Sequence, residues 1–576
     1  MRPFVLACAF LLGLSAHAGA TPAPARAGAA EAVFEWFHYA GSDPADALQP
    51  LAPGQYRNPV IQGFYPDPSV VRVGDDFYLV TSTFGWFPGI PVFHSRDLVH
   101  WTQLGNAIDR PSQLDFGRHD LVNGVFAPAI EHHDGRFYIV NTCFPACGGN
   151  FVITATDPAG PWSDPVWLPE LAGGIDPSLF FDDDGRVWIV NNDVPPGGER
   201  WPGHRAIWLQ EFDPATLRTR GPRSVILDGG IDPAAHPEYV EGPHLFRRDG
   251  WYYLTAAEGG TGEMHRQVIL RSRQVTGPYQ AWNGNPVLTQ SDLPRERPGP
   301  VTSAGHADFV QAGDGQWWAL FLGNRPYPPL HGHYVNTGRE TFLLPVQWQD
   351  GWPRITAPGQ QIARVHAAPA LPPGTAALPT SGAFTLRDDF DAPALAPYWI
   401  TPRTPRQAWH RLQDGALHLQ ARPVALGERA NPSFLARRQQ HPHAEARTRV
   451  RFVPRQEGDT AGLAAFQNED YWYLLALSRR DGRSVLELRR RDGRVQPADT
   501  ATGTLLAAVP LDPALEGAPL ELRIRARGAL YDFAWAGPDG QWHALAEGVD
   551  GTLLSTAVAG GFTGAVFGMY TATAAD

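Results

Sequence analysis

A short apolar strand, a Gly/Asp turn and an aromatic-rich strand recur five times in the first two thirds of the chain. The unit runs from Asp67-Pro68-Ser69-Val70-Val71 to Gly74-Asp75-Asp76-Phe77-Tyr78, and again from Ala127-Pro128-Ala129-Ile130 to Asp134-Gly135-Arg136-Phe137-Tyr138. It returns from Asp176-Pro177-Ser178-Leu179-Phe180 to Asp184-Gly185-Arg186-Val187-Trp188, and from Glu241-Gly242-Pro243-His244-Leu245 to Asp249-Gly250-Trp251-Tyr252. The last copy leads from His306-Ala307-Asp308-Phe309-Val310 to Asp314-Gly315-Gln316-Trp317-Trp318. First residues of successive copies are 60, 49, 65 and 65 positions apart. Each copy reads as a β-hairpin closed by a D-G type turn, and the spacing leaves room for about two more strands per unit, the layout of four-stranded propeller blades.

Beyond Trp352 the pattern changes. Residues 367–382 are rich in Ala, Pro and Gly and read as a linker. Strict alternation follows, as in Leu520-Glu521-Leu522-Arg523-Ile524-Arg525 and Tyr531-Asp532-Phe533-Ala534-Trp535, which predicts antiparallel strands with one dry and one wet face. The expected fold is therefore all-β: a five-bladed propeller over 57–354, a linker over 355–385 and an antiparallel β-sandwich over 386–576. Residues 21–56 show no firm period and are expected to run over the surface as an N-terminal extension.

Composition agrees with this division. A length of 576 residues allows two to four domains, and Gly and Pro, at 60 and 55, make up about a fifth of the chain, favouring many short strands joined by turns. Its 19 Trp and 43% hydrophobic content promise a large core. All 47 basic residues are Arg. The absence of Lys excludes Schiff-base chemistry, a pyridoxal anchor and a P-loop, and a net charge of −12 disfavours nucleic acid or an anionic membrane as partner.

Residues 1–20 have the layout of a cleaved secretory signal, with a basic start, an apolar run and Ala16-His17-Ala18, so a secreted or periplasmic protein is expected. No second long apolar run predicts a membrane span. Cys143 and Cys147 remain as a C-x3-C pair, read either as a small disulfide loop or as two free thiols, with no partners at zinc spacing.

Equivalent positions of propeller repeats converge on one central hollow. Here they carry Asp67, Ala127, Asp176, Glu241 and His306, so three carboxylates and an imidazole meet at the heads of apolar strands, where an unused acid is costly. Paired carboxylates with no Lys, metal motif or serine nucleophile elbow suit glycoside hydrolysis, in which one acid protonates the leaving oxygen and another activates water. Phe64, Tyr65, Phe84, Trp86 and Phe126 lie beside these positions as candidates for stacking on a sugar. Asp232-Pro233 repeats the D-P pair without a hairpin in register and is set aside.

The ordered motifs resemble glycoside hydrolase family 43, in its β-xylosidase and α-L-arabinofuranosidase branch. They include Asn58-Pro59-Val60 through Ser69, Ser95-Arg96-Asp97-Leu98-Val99-His100-Trp101, the Asp176 and Glu241 segments, Gly305-His306-Ala307, Gly338-Arg339-Glu340-Thr341 and Gln349-Asp350-Gly351-Trp352-Pro353. Arg387-Asp388-Asp389-Phe390-Asp391 and Gly560-Gly561-Phe562-Thr563-Gly564 carry the likeness into a concanavalin-like, jelly-roll-type sandwich. The resemblance implies an inverting hydrolase with Asp67 as general base, Glu241 as general acid and Asp176 as the residue that raises the acid's pKa. Arg339 is then expected to reach sugar hydroxyls or Asp176, His306 to face the channel, Phe84, Phe126 and Trp86 to line the pocket, and Phe562 to wall it from the sandwich. The second repeat departs from the family pattern at Phe126-Ala127-Pro128-Ala129, where relatives carry Trp and Asp, a change that bears on which sugar fits.

The expected activity is removal of terminal β-D-xylose or α-L-arabinofuranose from xylan-derived oligosaccharides of the plant cell wall. The alternatives are an endo-acting arabinanase or xylanase of the same fold and a non-catalytic glycan-binding relative. No cofactor is required for this chemistry. Whether the sandwich holds Ca2+, the oligomeric state and the choice between xylose and arabinose are left open by the sequence.

Overall fold

The computed structural model describes residues 30–171, 173–495 and 501–574, so residues 1–20, expected as a secretory signal, lie outside the described residues. Five antiparallel sheets follow one another along the chain. Their innermost strands are Ser69–Val73, Ala129–His133, Ile175–Phe181, Glu241–Arg248 and Thr302–Gln311. Each contacts the next, and the fifth touches the first, closing a ring of five blades. Two of the D-G turns behave as their chemistry requires. Asp134-Gly135 and Asp249-Gly250 close two-residue hairpins with both residues at positive φ, the backbone twist that matches a right-twisted strand pair.

The ring is fastened by the Asn58-Pro59-Val60 segment. Asn58 Nδ2 donates to the Leu343 carbonyl at 2.7 Å, and its Oδ1 accepts from the Leu343 amide at 2.9 Å, so one side chain continues the ladder of the fifth blade. Residues 365–367 pair with 55–57. The Ala/Pro/Gly-rich stretch expected as a linker is held against the first blade: the Gly374 amide donates to Asp97 at 2.7 Å and the Ala377 amide to Thr102 at 3.0 Å. Asp97 also receives the amides of Val99 and His100, which accounts for the acid in the Ser95–Trp101 motif. Asp232, set aside in the sequence, caps a single turn by accepting from the Ala234 amide. Cys143 and Cys147 are joined in a disulfide.

The second body is a sandwich of a six-stranded and an eight-stranded sheet. Here the expectation for residues 21–56 is corrected. Glu31–Ser42 is a twelve-residue strand inside the eight-stranded sheet, flanked by Ala416–Gln420 and His443–Arg451. Ala32, Phe34, Phe37 and Tyr39 are fully buried in the sandwich core. A β-bulge between Phe34 and Trp36 shifts the inward positions by one, which is why the alternation does not read as a single period. Among the described residues the chain thus starts in the sandwich, passes through the propeller and returns. No helix among the described residues is long and apolar enough to cross a membrane.

This arrangement makes the N-terminal strand a structural member. Phe34→Ala is expected to destabilise the sandwich by about 3–5 kcal/mol in urea unfolding. Leu48→Ala, nearby but 82% exposed, is expected to change it by less than about 0.5 kcal/mol.

Candidate active site

The heads of the innermost strands are not regular β-structure. Asp67, Asp176 and His306 have φ of 55°, 52° and 53°, and Gly242, next to Glu241, has 56°. Left-handed backbone at a non-glycine residue costs about 1–3 kcal/mol. The ladder breaks at the same places, with register slips between Ile175 and Ser178 and between Glu241 and His244. These kinks gather Asp67, Asp176, Glu241, His306 and Arg339 into one cluster whose members are only 5% to 8% exposed.

Within the cluster the charges pair selectively. Arg339 Nη1 lies 3.3 Å from Asp67 Oδ1, and the Ser82 hydroxyl donates to the other carboxylate oxygen of Asp67. His306 Nε2 lies 3.6 Å from Asp176 Oδ2, which also accepts from the Gly242 amide at 3.1 Å. Glu241 takes part in none of these pairs. Burial, followed by the negative charges of Asp176 and Asp67, pushes its carboxyl up to about 8, against the opposing influence of His306 and Arg339. Burial alone disfavours a charged His306, but the pairing with Asp176 and the charges of Asp67 and Glu241 outweigh it and raise its pKa to about 9. The two aspartates therefore face two cations, and the remaining carboxyl keeps its proton near neutrality.

Glycine sets how closely these groups approach. A Cβ on Gly242 would stand 2.6 Å from His306 Nε2, and one on Gly305 would stand 2.7 Å from the His265 ring. His265 is buried beneath the cluster, its Nδ1 donating to the Ser303 carbonyl at 2.9 Å. Burial, with His306 and Arg339 nearby, lowers its pKa to about 4, so it stands neutral there.

One wall is aromatic and comes from both domains. Phe84 stacks on Phe562 with centroids 5.6 Å apart and lies 6.0 Å from Phe126. The Arg339 guanidinium sits 5.2 Å from the Phe562 ring centre and 5.9 Å from that of Phe84. Phe562 reaches this position because two backbones touch: a Cβ on Gly338 would stand 2.7 Å from the Gly564 amide, and one on Gly564 would stand 2.5 Å from the Thr337 carbonyl. The Ala565 amide donates to the Asn336 carbonyl at 2.7 Å beside that contact.

Residues 56–353 match Glycosyl hydrolases family 43, and residues 387–576 match Beta xylosidase C-terminal Concanavalin A-like domain. The chain is 36% identical over 519 residues to a xylosidase/arabinosidase of Butyrivibrio fibrisolvens, covering 89% of this chain and 95% of that protein. It is 37% identical over 532 residues to the non-reducing end alpha-L-arabinofuranosidase BoGH43B of Bacteroides ovatus, covering 90% and 92%. A crystal structure of a GH43_12 protein from a capybara gut metagenome superposes with a TM-score of 0.85 at 37% identity, covering 94% of this chain and 99% of that one. The chain belongs to glycoside hydrolase family 43. It is a glycosyl hydrolase.

For this family 43 enzyme, the structure brings together Asp67, Asp176, Glu241, His306, Arg339, Phe84, Phe126 and Phe562, as the sequence expects. Two expectations are corrected. Trp86 is fully buried, 6.2 Å from Phe64 and 6.0 Å from Phe466 between ring centres, and fills the seam between propeller and sandwich instead of lining the pocket. Its neighbours there, Leu121, Phe434 and Val566, leave no face for a sugar. Arg339 pairs with Asp67 and not with Asp176, because it lies beside the segment that leads into Asp67: the Tyr65 amide donates to the Arg339 carbonyl at 3.2 Å, next to the bridge between Ile61 and Thr341. Sequence reasoning passed over Ser82, His265 and the glycines at 242, 338 and 564. The glycines stood inside the quoted motifs, and their fixed places there were the available signal. Among the described residues no group of three or more His, Cys, Asp or Glu is arranged to hold a metal ion.

The raised pKa of Glu241 has a stability consequence. A carboxyl that holds its proton more tightly folded than unfolded costs stability as it ionises, so the protein loses stability as pH rises from the ordinary carboxylate range through about 8. Glu241→Gln is expected to melt at least ~2 °C above wild type at about pH 9, the two curves converging toward about pH 4.5, measured by calorimetry across pH.

Proposed function

We propose that this enzyme is exported and removes terminal β-D-xylose or α-L-arabinofuranose from xylan-derived oligosaccharides, with inversion at the anomeric carbon. The observation that carries the reading is the contrast between two carboxyl groups in one buried cluster. Asp67 is held by Arg339 and Ser82, as suits a base that must stay available for a water proton. Glu241 keeps its proton to about pH 8, as suits an acid that must give one up at neutral pH.

In the proposed step a water oxygen attacks the anomeric carbon while its proton passes to Asp67. Glu241 gives its proton to the glycosidic oxygen, and the bond from that oxygen to the anomeric carbon breaks. One new bond to water replaces it on the opposite face, so configuration inverts. Asp176 acts through Glu241: its charge raises the acid's pKa, and its bond to the Gly242 amide holds the backbone beside it. Phe562 standing against Phe84 favours a closed pocket that takes a chain end, and the printed names of the relatives, a xylosidase/arabinosidase and an arabinofuranosidase, support a pentose there. The apolar run at 4–15 supports export.

Two measurements test the reading. Proton NMR of hydrolysis in progress should show the inverted anomer first; the retained anomer appearing first would reject the assignment. Glu241→Gln should lower kcat on xylobiose by about 10²–10⁴-fold but spare much of the activity on a dinitrophenyl glycoside, whose leaving group needs no proton. Wild-type kcat/KM should fall about tenfold per pH unit above about 8.

A further inference from the structure

The disulfide between Cys143 and Cys147 closes the strand end from which the aromatic wall of the active site hangs. Cys143 is in the strand Arg136–Phe144, which pairs along one edge with Gly149–Ala155. The other edge meets Ala129–His133 and then, nearer its end, Gly124–Val125, with Cys143 opposite Val125. Between those two segments Phe126 leaves the ladder, and the strand end holds it by both backbone groups. The Phe126 amide donates to the Thr142 carbonyl at 2.9 Å, and its carbonyl accepts from Asn141 Nδ2 at 2.8 Å. Phe84 is held at the same place. Its amide donates to the Val125 carbonyl at 2.8 Å, and its carbonyl accepts from the Val125 amide at 3.1 Å. A Cβ on Gly124 would stand 2.5 Å from the Phe84 carbonyl oxygen, so the two backbones touch there.

The turn that follows Cys143 is otherwise lightly held. Phe144, Pro145 and Gly148 are exposed, and of the turn residues only Ala146 and Cys147 pack against the core cluster in which Cys143 and Val125 are fully buried. The bridge spans a sequence separation of four. So short a loop removes less entropy from the unfolded chain than a long one does, which leaves the local geometry of the native strand end as its main effect. The acids are anchored elsewhere. Asp67 is held by Arg339 and Ser82, and Asp176 by the Gly242 amide, while this second repeat carries Ala127 where the others carry Asp, Glu or His. Movement of this strand end therefore shifts Phe126 and Phe84 and leaves the proton donor and acceptor in place.

We propose that the Cys143–Cys147 disulfide is a positioning element of the sugar pocket: closed, it holds Phe126 and Phe84 against the bound sugar, and opened, it lets that wall relax and weakens binding without slowing the chemical step. Reduction by a dithiol breaks the S–S bond and leaves two thiols on the protein, while the dithiol gives up two electrons and two protons and becomes its own disulfide. Sugar binding is then tied to the redox state of the surroundings, full in an oxidising compartment and weaker where thiols prevail. The inference rests on the proposed function in taking the two rings as a wall of the sugar pocket; the hydrogen-bonded path from the disulfide to those rings is independent of it.

The test compares the oxidised full chain, the same chain kept in dithiothreitol, and Cys143→Ala/Cys147→Ala, each assayed on 4-nitrophenyl β-D-xyloside and α-L-arabinofuranoside, with thiol titration fixing the redox state. KM should rise about five- to tenfold in the reduced chain and in the double variant, with kcat within about twofold, and reoxidation should restore the reduced chain. In Phe126→Ala, where the ring acted upon is missing, reduction should change KM by less than about twofold. A lower melting temperature with KM unchanged, a loss of kcat as large as the rise in KM, or the full rise in KM persisting in Phe126→Ala overturns the proposal. The double variant decides if the bridge resists dithiothreitol, and the reduced chain decides if the variant does not fold. Wild type that hydrolyses neither glycoside would instead reject the proposed function.

Discussion

The whole site depends on crowding charges where water cannot screen them. Two aspartates, an arginine and a histidine are packed with a third carboxyl into a volume almost closed to solvent, and at short range in a poorly screened interior such charges set one another's protonation. The pairing leaves Glu241 without a cation of its own, so the easiest way for the cluster to lower its energy is to keep that carboxyl neutral. A proton donor at neutral pH is then a property of the arrangement. It is purchased with strained backbone at several strand heads, and such strain persists only where surrounding structure holds it.

What holds it is the closed ring. Each blade grips the next through its innermost strand, and Asn58 ties the start of the propeller to its last blade by bonding to both backbone groups of Leu343. The sandwich adds a second restraint. Its first strand precedes the propeller in the chain and the rest follow it, so the propeller is an insertion between strands of one sheet. Glycines 338 and 564 then let the two bodies touch backbone to backbone, which brings Phe562 over Arg339. Pocket and sandwich are one construction.

Much of this was legible from residues alone. The five-fold repeat announced blades because period-two alternation and D-G turns are local physics, and the same repeat aligned Asp67, Asp176, Glu241 and His306 without coordinates. The bulge at Phe34 hid the first strand because one extra residue reverses which side chains point inward. Trp86 misled because an aromatic beside a catalytic position has the same composition whether it faces a sugar or another domain.

The sequence by itself determined the fold class and the set of acids, since repeats, turn chemistry and alternation act over a few residues. Only the tertiary structure decided which charge meets which. Arg339 turns to Asp67, His306 turns to Asp176, and Glu241 is left to keep its proton. Those choices are made by distances between residues that lie hundreds of positions apart, and electrostatic energy depends on separation in space, which the order of residues along a chain does not contain.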